Sequence, residues 1–227
     1  MQTTESACSL CGPKVRAVLE RAYQNARGEW FRLGPYMVLD KLLRRTPSIK
    51  EYVRRTKKMY IPLSRERGTF AYLLARSINA QRIVEFGTAF GISTIYLAAA
   101  VKDNGGGIVI GSEIEDSKVT KAQTHLEEAG LAGYVEIRRG DARMTLAEPG
   151  GKVDMLLVDG YKEIYVAIVT ILMPHLRPGS VVLGDNVSTP IIKKSLASYV
   201  AFMNDPKNGF YSVTVPFWGG IEYSVRL

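Results

Sequence analysis

The sequence predicts a doubly wound α/β fold, with a mostly parallel sheet, a helical layer before it and an antiparallel hairpin after it. Three observations carry this expectation. From Arg82 onward, short Val/Ile/Leu-rich runs alternate with amphipathic segments, the pattern of strands buried on both faces and joined by crossover helices. The first 80 residues show helical patterning only. The C-terminal stretch "GFYSVTVPFWGGIEYSVRL" reads as two strands around Gly219 and Gly220.

In chain order, "KVRAVLERAYQNA", "YMVLDKLLRR", "IKEYVRRTKK" and "ERGTFAYLLARSI" are expected as helices separated by prolines 35, 47 and 62. Five strands follow: "RIVEFG", "GIVIGSEI", "YVEIRRG", "VDMLLVDG" and "SVVLGDN". Their lengths and their ends at glycine or an acid suit a buried parallel sheet. Among the intervening helices, "DSKVTKAQTHLEEAG" has Asp116 as its expected N-cap and Gly130 as its stop. Pro174 is expected to kink or end "YVAIVTILMPHLRPG". One domain is expected over residues 1–227, with 1–80 as a helical cap and 81–227 as the α/β core.

Hydrophobic residues make up 46% and charged residues 23%, which excludes a disordered or fibrous chain. No apolar run reaches the roughly 18 residues a membrane span requires. The N-terminus "MQTTESACSLCGPKVRAV" has no apolar core of the secretory kind. A cytoplasmic protein is the expectation. Cys8 and Cys11 form a C-x-x-C pair without the further ligands a zinc site requires, and are expected as free thiols.

The formal charge of +8 is local: residues 41–67 hold ten Lys or Arg and two Asp or Glu, which is the whole excess. Such a block reads as a solvated helix face or as an attractor for nucleic acid, acidic lipid or an anionic substrate.

Candidate site residues cluster at strand ends, where open α/β sheets bind ligands. In "VEFGTAFGIST", Gly87 and Gly91 are spaced G-x-x-x-G, and Glu85 lies two residues before the first. A dinucleotide site would show G-x-G-x-x-G. A carboxylate here repels a pyrophosphate and suits an ammonium, which points away from NAD and toward S-adenosylmethionine. Glu113, at the end of the second strand, is placed to accept ribose hydroxyls. Asp141, with the Ala142 backbone, can hold an adenine edge or cap the next helix. Asp159 ends the fourth run, and Asp185 and Asn186 end the fifth. On adjacent strands they would form a hard oxygen set for Mg²⁺ or another divalent cation; singly they read as caps and turns. Lys162, three residues past Asp159, would sit near such a cation, where a lysine can serve as a base.

"VEFGTAFGIST", "GSEIE", "RRGDA", "LLVDGYKEIY" and "LRPGSVVLGDNV" together resemble the motif order of class I S-adenosylmethionine-dependent O-methyltransferases. The D-x-x-K-x-x-Y segment followed by D-N is similar to the cation-dependent branch that includes catechol and caffeoyl-CoA O-methyltransferases. The resemblance runs from about Met59 to the C-terminus. It implies a Rossmann-like seven-stranded sheet, S-adenosylmethionine as methyl donor, and a small-molecule hydroxyl as acceptor. It implies that Asp159, Asp185 and Asn186 bind Mg²⁺ and that Lys162 is the catalytic base. Met59, Glu85, Gly87, Thr88, Gly91, Ser93, Glu113, Asp141, Ala142 and Asp159 would line the cofactor, and Tyr60, Tyr161, Asn186 and Trp218 the acceptor. Catechol methylators carry an acid shortly before the last hairpin's glycine; "YSVTVPFWGG" has none, and Glu222 follows it in the final strand. The acceptor class is therefore broader: catechol-like, a vicinal diol or a hydroxy acid. A homodimer through the N-terminal helices is expected. The alternative functions are a tRNA or rRNA methyltransferase using the basic block, and a binding module without catalysis.

Overall fold

The computed structural model describes residues 8–190 and 192–227. Residues 1–7, on which the reading of the N-terminus partly rests, lie outside them. Four helices come first: α1 (Pro13–Asn25), α2 (Glu29–Leu42), α3 (Ile49–Thr56) and α4 (Arg65–Ser77). Ser48 and Ser64 cap the last two; each serine Oγ accepts a backbone N–H, from Glu51 and Arg67 respectively. This satisfies one of the donors that a first turn leaves without a helical partner.

Pro47 and Pro62 fall between helices as expected, but Pro35 lies inside α2. It gives up one intrahelical hydrogen bond. The residue before it is Gly34, which has no Cβ to meet the ring, and so the helix continues through it.

The alternation then runs β1 (Arg82–Phe86), α5 (Ile92–Asp103), β2 (Ile108–Glu113), α6 (Asp116–Ala129), β3 (Val135–Arg139), α7 (Ala142–Thr145), β4 (Val153–Val158), α8 (Tyr165–Leu172), β5 (Leu176–Asp185), α9 (Ala197–Asn204), β6 (Phe210–Val215) and β7 (Ile221–Arg226). The seven strands form one sheet in the order β3-β2-β1-β4-β5-β7-β6. The first five are parallel; β7 pairs antiparallel with both β5 and β6.

Two details differ from expectation. Glu115, not Asp116, caps α6, because the Asp116 carboxylate pairs with Arg139. The helix α9 was not anticipated from "ASYVAFMN"; it is held by burial of Tyr199 and Met203 against the sheet.

Strand alternation divides the core in two. Ile83, Val109, Met155, Leu157, Val181 and Leu183 face α1, α4, α5 and α6. Val84, Ile110, Leu156, Val158 and Val182 face α8 and α9. The chain builds outward from β1 to β3 on one side and from β4 on the other, so the order reverses between β1 and β4. Loops diverge there and leave a crevice at the carboxyl ends of the strands.

Helix α4 sits on α5 with no side chain between them at Gly68, where an added Cβ would stand 2.7 Å from the Tyr96 ring. The Tyr96 hydroxyl is 3.2 Å from that of Tyr23, which limits how far the ring can swing. Alanine in place of glycine gains about 1 kcal/mol of helix propensity, whereas overpacking costs about 1–3 kcal/mol. Gly68→Ala is expected to lower the unfolding free energy by about 1 kcal/mol net, read as a lower urea midpoint; an unchanged midpoint would mean that Tyr96 yields.

Candidate active site

The crevice opens into a cavity of about 1000 Å³. The sheet contributes Gly87, Thr88 and Ser93 from the first loop and helix, Asp159, Tyr161 and Lys162 after β4, Asp185 and Asn186 at the end of β5, and Trp218 from the last turn. The helical layer covers it with Tyr52, Met59, Tyr60 and Arg67. Of the residues expected to bind cofactor, Glu85, Gly91, Glu113, Asp141 and Ala142 stand behind or beside this surface rather than on it.

Gly87 has φ 102°, and a Cβ there would lie 2.3 Å from the Asp159 carbonyl oxygen. Only glycine lets the β1 and β4 loops touch in this way. Gly91, at φ 78°, starts α5 without a side-chain cap, and so leaves first-turn N–H groups for a ligand. Glu85 is fully buried one hydrogen bond behind the wall: its Oε2 accepts from Thr88 Oγ1 at 3.0 Å and Thr94 Oγ1 at 2.5 Å. Burial pushes its carboxyl above the usual carboxylate range, against the pull of the Ser93, Thr94 and Thr88 hydroxyls. Its Oε1 is buried with no hydrogen-bond partner among the described residues. A buried acceptor left open in this way is costly and suits a site that receives a cationic amine.

Glu113 accepts three backbone N–H groups, from Ala89 at 2.9 Å and from Ile114 and Glu115 at 2.8 Å each. A carboxylate offers about four acceptor positions, so about one remains for the ribose hydroxyl expected there. The bond to Ala89 holds that residue at φ 47°, a left-handed conformation that costs an alanine about 1–2 kcal/mol. Asp141 caps α7 by accepting the Arg143 N–H and pairs with the Arg143 guanidinium.

The carboxylate half is set by strand register. β4 and β5 pair with Val158 opposite Gly184, so Asp159 and Asp185 follow side by side. Asn186 comes next at φ 70°, a conformation asparagine tolerates, and its backbone N–H donates to the Gly220 carbonyl. Its Nδ2 donates to Asp185 Oδ2 at 2.6 Å and to Asp159 Oδ1 at 3.3 Å. Lys162 Nζ lies 3.0 Å from Asp159 Oδ1 and 2.5 Å from the Tyr165 hydroxyl. Burial, reinforced by Asp159, pushes the Asp185 carboxyl up; Arg67 and Lys162 pull it back.

Sequence patterning missed three members of this site. Arg67 Nη1 forms an ion pair with Asp185 and reaches Asn186 Oδ1 at 3.4 Å. Tyr165, the tyrosine of the D-x-x-K-x-x-Y segment, orients Lys162. Lys118 is buried with Nζ 5.5 Å from the Phe90 ring centroid, and burial lowers its pKa. Only the helix phase of α6 hinted that Lys118 would point inward.

Three cavity residues, Asp159, Asp185 and Asn186, have the hard oxygen donors that Mg²⁺ takes, and they lie within hydrogen-bonding reach of one another. The set fits such an ion in donor type. Among the described residues, no cluster of three His, Cys, Asp or Glu could hold a metal; this set has two carboxylates and one carboxamide. Five of the ten basic residues in the block are engaged within the chain: Arg45 and Arg55 pair with Asp40 and Glu51, Lys57 with Glu115, Arg65 with Glu20 and Arg67 with Asp185. Half of its charge is thus neutralised inside the fold.

With fold and cavity defined, the chain shows similarity to known proteins. Residues 84–187 match the family described as a methyltransferase domain. It is 36% identical over 131 residues to the catechol O-methyltransferase of Niastella koreensis, an alignment covering 56% of this chain and 58% of that protein. It is 37% identical over 128 residues to the catechol O-methyltransferase of Mycobacterium tuberculosis, covering 56% and 57%. The chain thus spans little more than half the length of either relative. The O-methyltransferase TomG of Streptomyces achromogenes, solved with S-adenosylmethionine and involved in tomaymycin synthesis, superposes with a TM-score of 0.65 at 28% identity, over 77% of this chain and 85% of that one.

Arg67 and Asp185 are 5% and 1% exposed. Removing one partner of such a buried pair costs about 3–5 kcal/mol. Asp185→Ala is therefore expected to lower unfolding free energy by about that amount in urea titrations, and a loss below about 1 kcal/mol would show that water reaches the pair.

Proposed function

We propose that the chain is an S-adenosylmethionine-dependent O-methyltransferase that moves a methyl group to a metal-chelated hydroxyl of a small molecule: catechol-like, a vicinal diol or a hydroxy acid. The observation that carries this is the placement of Asp159, Lys162, Asp185 and Asn186 in the same cavity as the Gly87–Ser93 loop. S-adenosylmethionine supplies the methyl group as a sulfonium. In this reading, Glu85, Gly87, Thr88, Gly91 and Ser93 receive its amino-acid end, Glu113 the ribose, and Asp141 with Ala142 the adenine. Met59 borders the sulfonium. Tyr60, Tyr161, Asn186 and Trp218 border the acceptor.

Asp159, Asp185 and Asn186 would hold a divalent cation, which supplies Lewis-acid polarisation of the acceptor oxygen. Lys162 takes the hydroxyl proton as general base, with its amine fixed by Asp159 and Tyr165. Attack of an oxyanion on a sulfonium neutralises charge, so a cavity that holds both in line and excludes water favours it. The helical layer provides that cover. Glu222 is buried between Asn204 and Thr214, which supports an acceptor held without a carboxylate from the last hairpin.

The homodimer belongs to the same reading: α2 exposes Phe31 (87%) and Leu42 (75%), apolar side chains that a second copy would cover. So does a cytoplasmic location. No helix of the described residues is long and apolar enough to cross a membrane.

Methyl transfer from S-adenosylmethionine to a panel of catechols, vicinal diols and hydroxy acids tests the function. Activity is expected to disappear with EDTA and in Asp159→Ala; persistence in both would sink the metal role. Lys162→Met is expected to lower kcat by about 10²–10⁴-fold without weakening the calorimetric affinity for S-adenosylmethionine. Glu85→Gln should do the reverse of a stability mutation: an unchanged or higher Tm, since a buried charge is removed, with clearly weaker S-adenosylmethionine binding. Equal affinity in Glu85→Gln would remove Glu85 from the cofactor site.

A further inference from the structure

We propose that Arg67 is the resident counter-cation of this site: its guanidinium holds Asp185 and Asn186 while no divalent ion is bound, and it must leave for one to bind. This rests on the reading of Asp159, Asp185 and Asn186 as metal ligands.

The placement of Arg67 is unfavourable by every local rule. It is the third residue of α4, in the first turn, where the helix dipole and free N–H groups disfavour a cation. It is 5% exposed, and a buried charge is tolerated only when paired. Its charge is compensated from the far end of the chain, by Asp185, itself 1% exposed, and the Asn186 amide oxygen. The ion pair is therefore what allows α4 to carry a cation into the cavity.

The same atoms are the ones a divalent ion requires. A guanidinium has only donors and no lone pair to contribute to a coordination shell, so it competes for the carboxylate and carboxamide oxygens instead of sharing them. Asn186 is turned for the arginine: its Oδ1 is toward Arg67, and its Nδ2 is toward Asp185 and Asp159. A metal ligand needs the opposite orientation. Room for withdrawal exists, because Arg67 lines the cavity and its neighbour Gly219 has no side chain; a Cβ there would lie 3.5 Å from Nη1. Ser64 Oγ, 3.4 Å from Nε, offers a second anchor. Since Arg67 belongs to the helical layer and Asp185 to the sheet, metal entry and the seating of that layer are linked, and linkage runs both ways.

The test titrates Mn²⁺ into the full chain, wild type against Arg67→Met and Arg67→Lys, read by calorimetry, by the electron-spin signal of free Mn²⁺ and by Tm. Arg67→Met is expected to bind Mn²⁺ at least tenfold tighter than wild type. Its Tm should also rise more on Mn²⁺ addition, because the unpaired Asp185 destabilises only the metal-free form. Arg67→Lys, which keeps the charge but loses the fork, should fall between. Should Arg67→Met fold only with Mn²⁺ present, that dependence supports the proposal, and Arg67→Lys supplies the affinity. Wild type binding Mn²⁺ with Arg67→Met no tighter overturns this inference alone. Mn²⁺ binding to none of the three proteins overturns it together with the metal reading.

Discussion

Two carboxylates at the ends of neighbouring parallel strands, Asp185 buried and Asp159 partly exposed, require positive charge beside them. Strand pairing between β4 and β5 makes Asp159 and Asp185 neighbours whatever else the chain does. One compensating cation is local: Lys162 lies a single turn from Asp159. The other comes from 118 residues away, on α4. The first four helices are thus fixed over the sheet by apolar packing of α1 and α4 against α5 and also by a charge requirement that only the site can meet. Cover and chemistry share one electrostatic origin.

The sheet was legible because its signal is local. Uninterrupted apolar runs ending in glycine or acid mark doubly buried strands, and their order along the chain limits the topology. Asp159, Lys162, Asp185 and Asn186 were legible for a related reason: strand ends of an α/β sheet converge by construction. Arg67 was not, since a basic residue within a strongly basic block carries no mark of a long-range partner. The continuation of α2 through Pro35 depended on the glycine before it. The helix at "ASYVAFMN" is short and rich in Tyr, Val and Phe, a composition closer to strand than helix, and tertiary burial of Tyr199 decided it.

Several departures from local preference lie at or beside the cavity. Ala89 and Asn186 are left-handed without being glycine; Glu85 keeps a buried oxygen without a partner among the described residues; Lys118 is buried against an aromatic ring. Each would be relieved by a small change in sequence. At a crevice with well-paired strands beneath, such departures store cost where a ligand can use it. Glu113 shows the same economy in another form: its carboxylate organises three loop amides, and so the loop keeps its shape without a ligand.

The contact between Gly87 and the Asp159 carbonyl joins the two loops through main chain alone. Asp159 N–H in turn donates to the Phe86 carbonyl at 2.9 Å. The spacing between the two halves of the cavity is therefore a property of the polypeptide path and does not depend on any rotamer. Side chains of the covering helices can be exchanged to suit a different guest while the alignment of the two halves is inherited unchanged, which makes this architecture a scaffold on which new specificities can be drawn without redrawing the reaction.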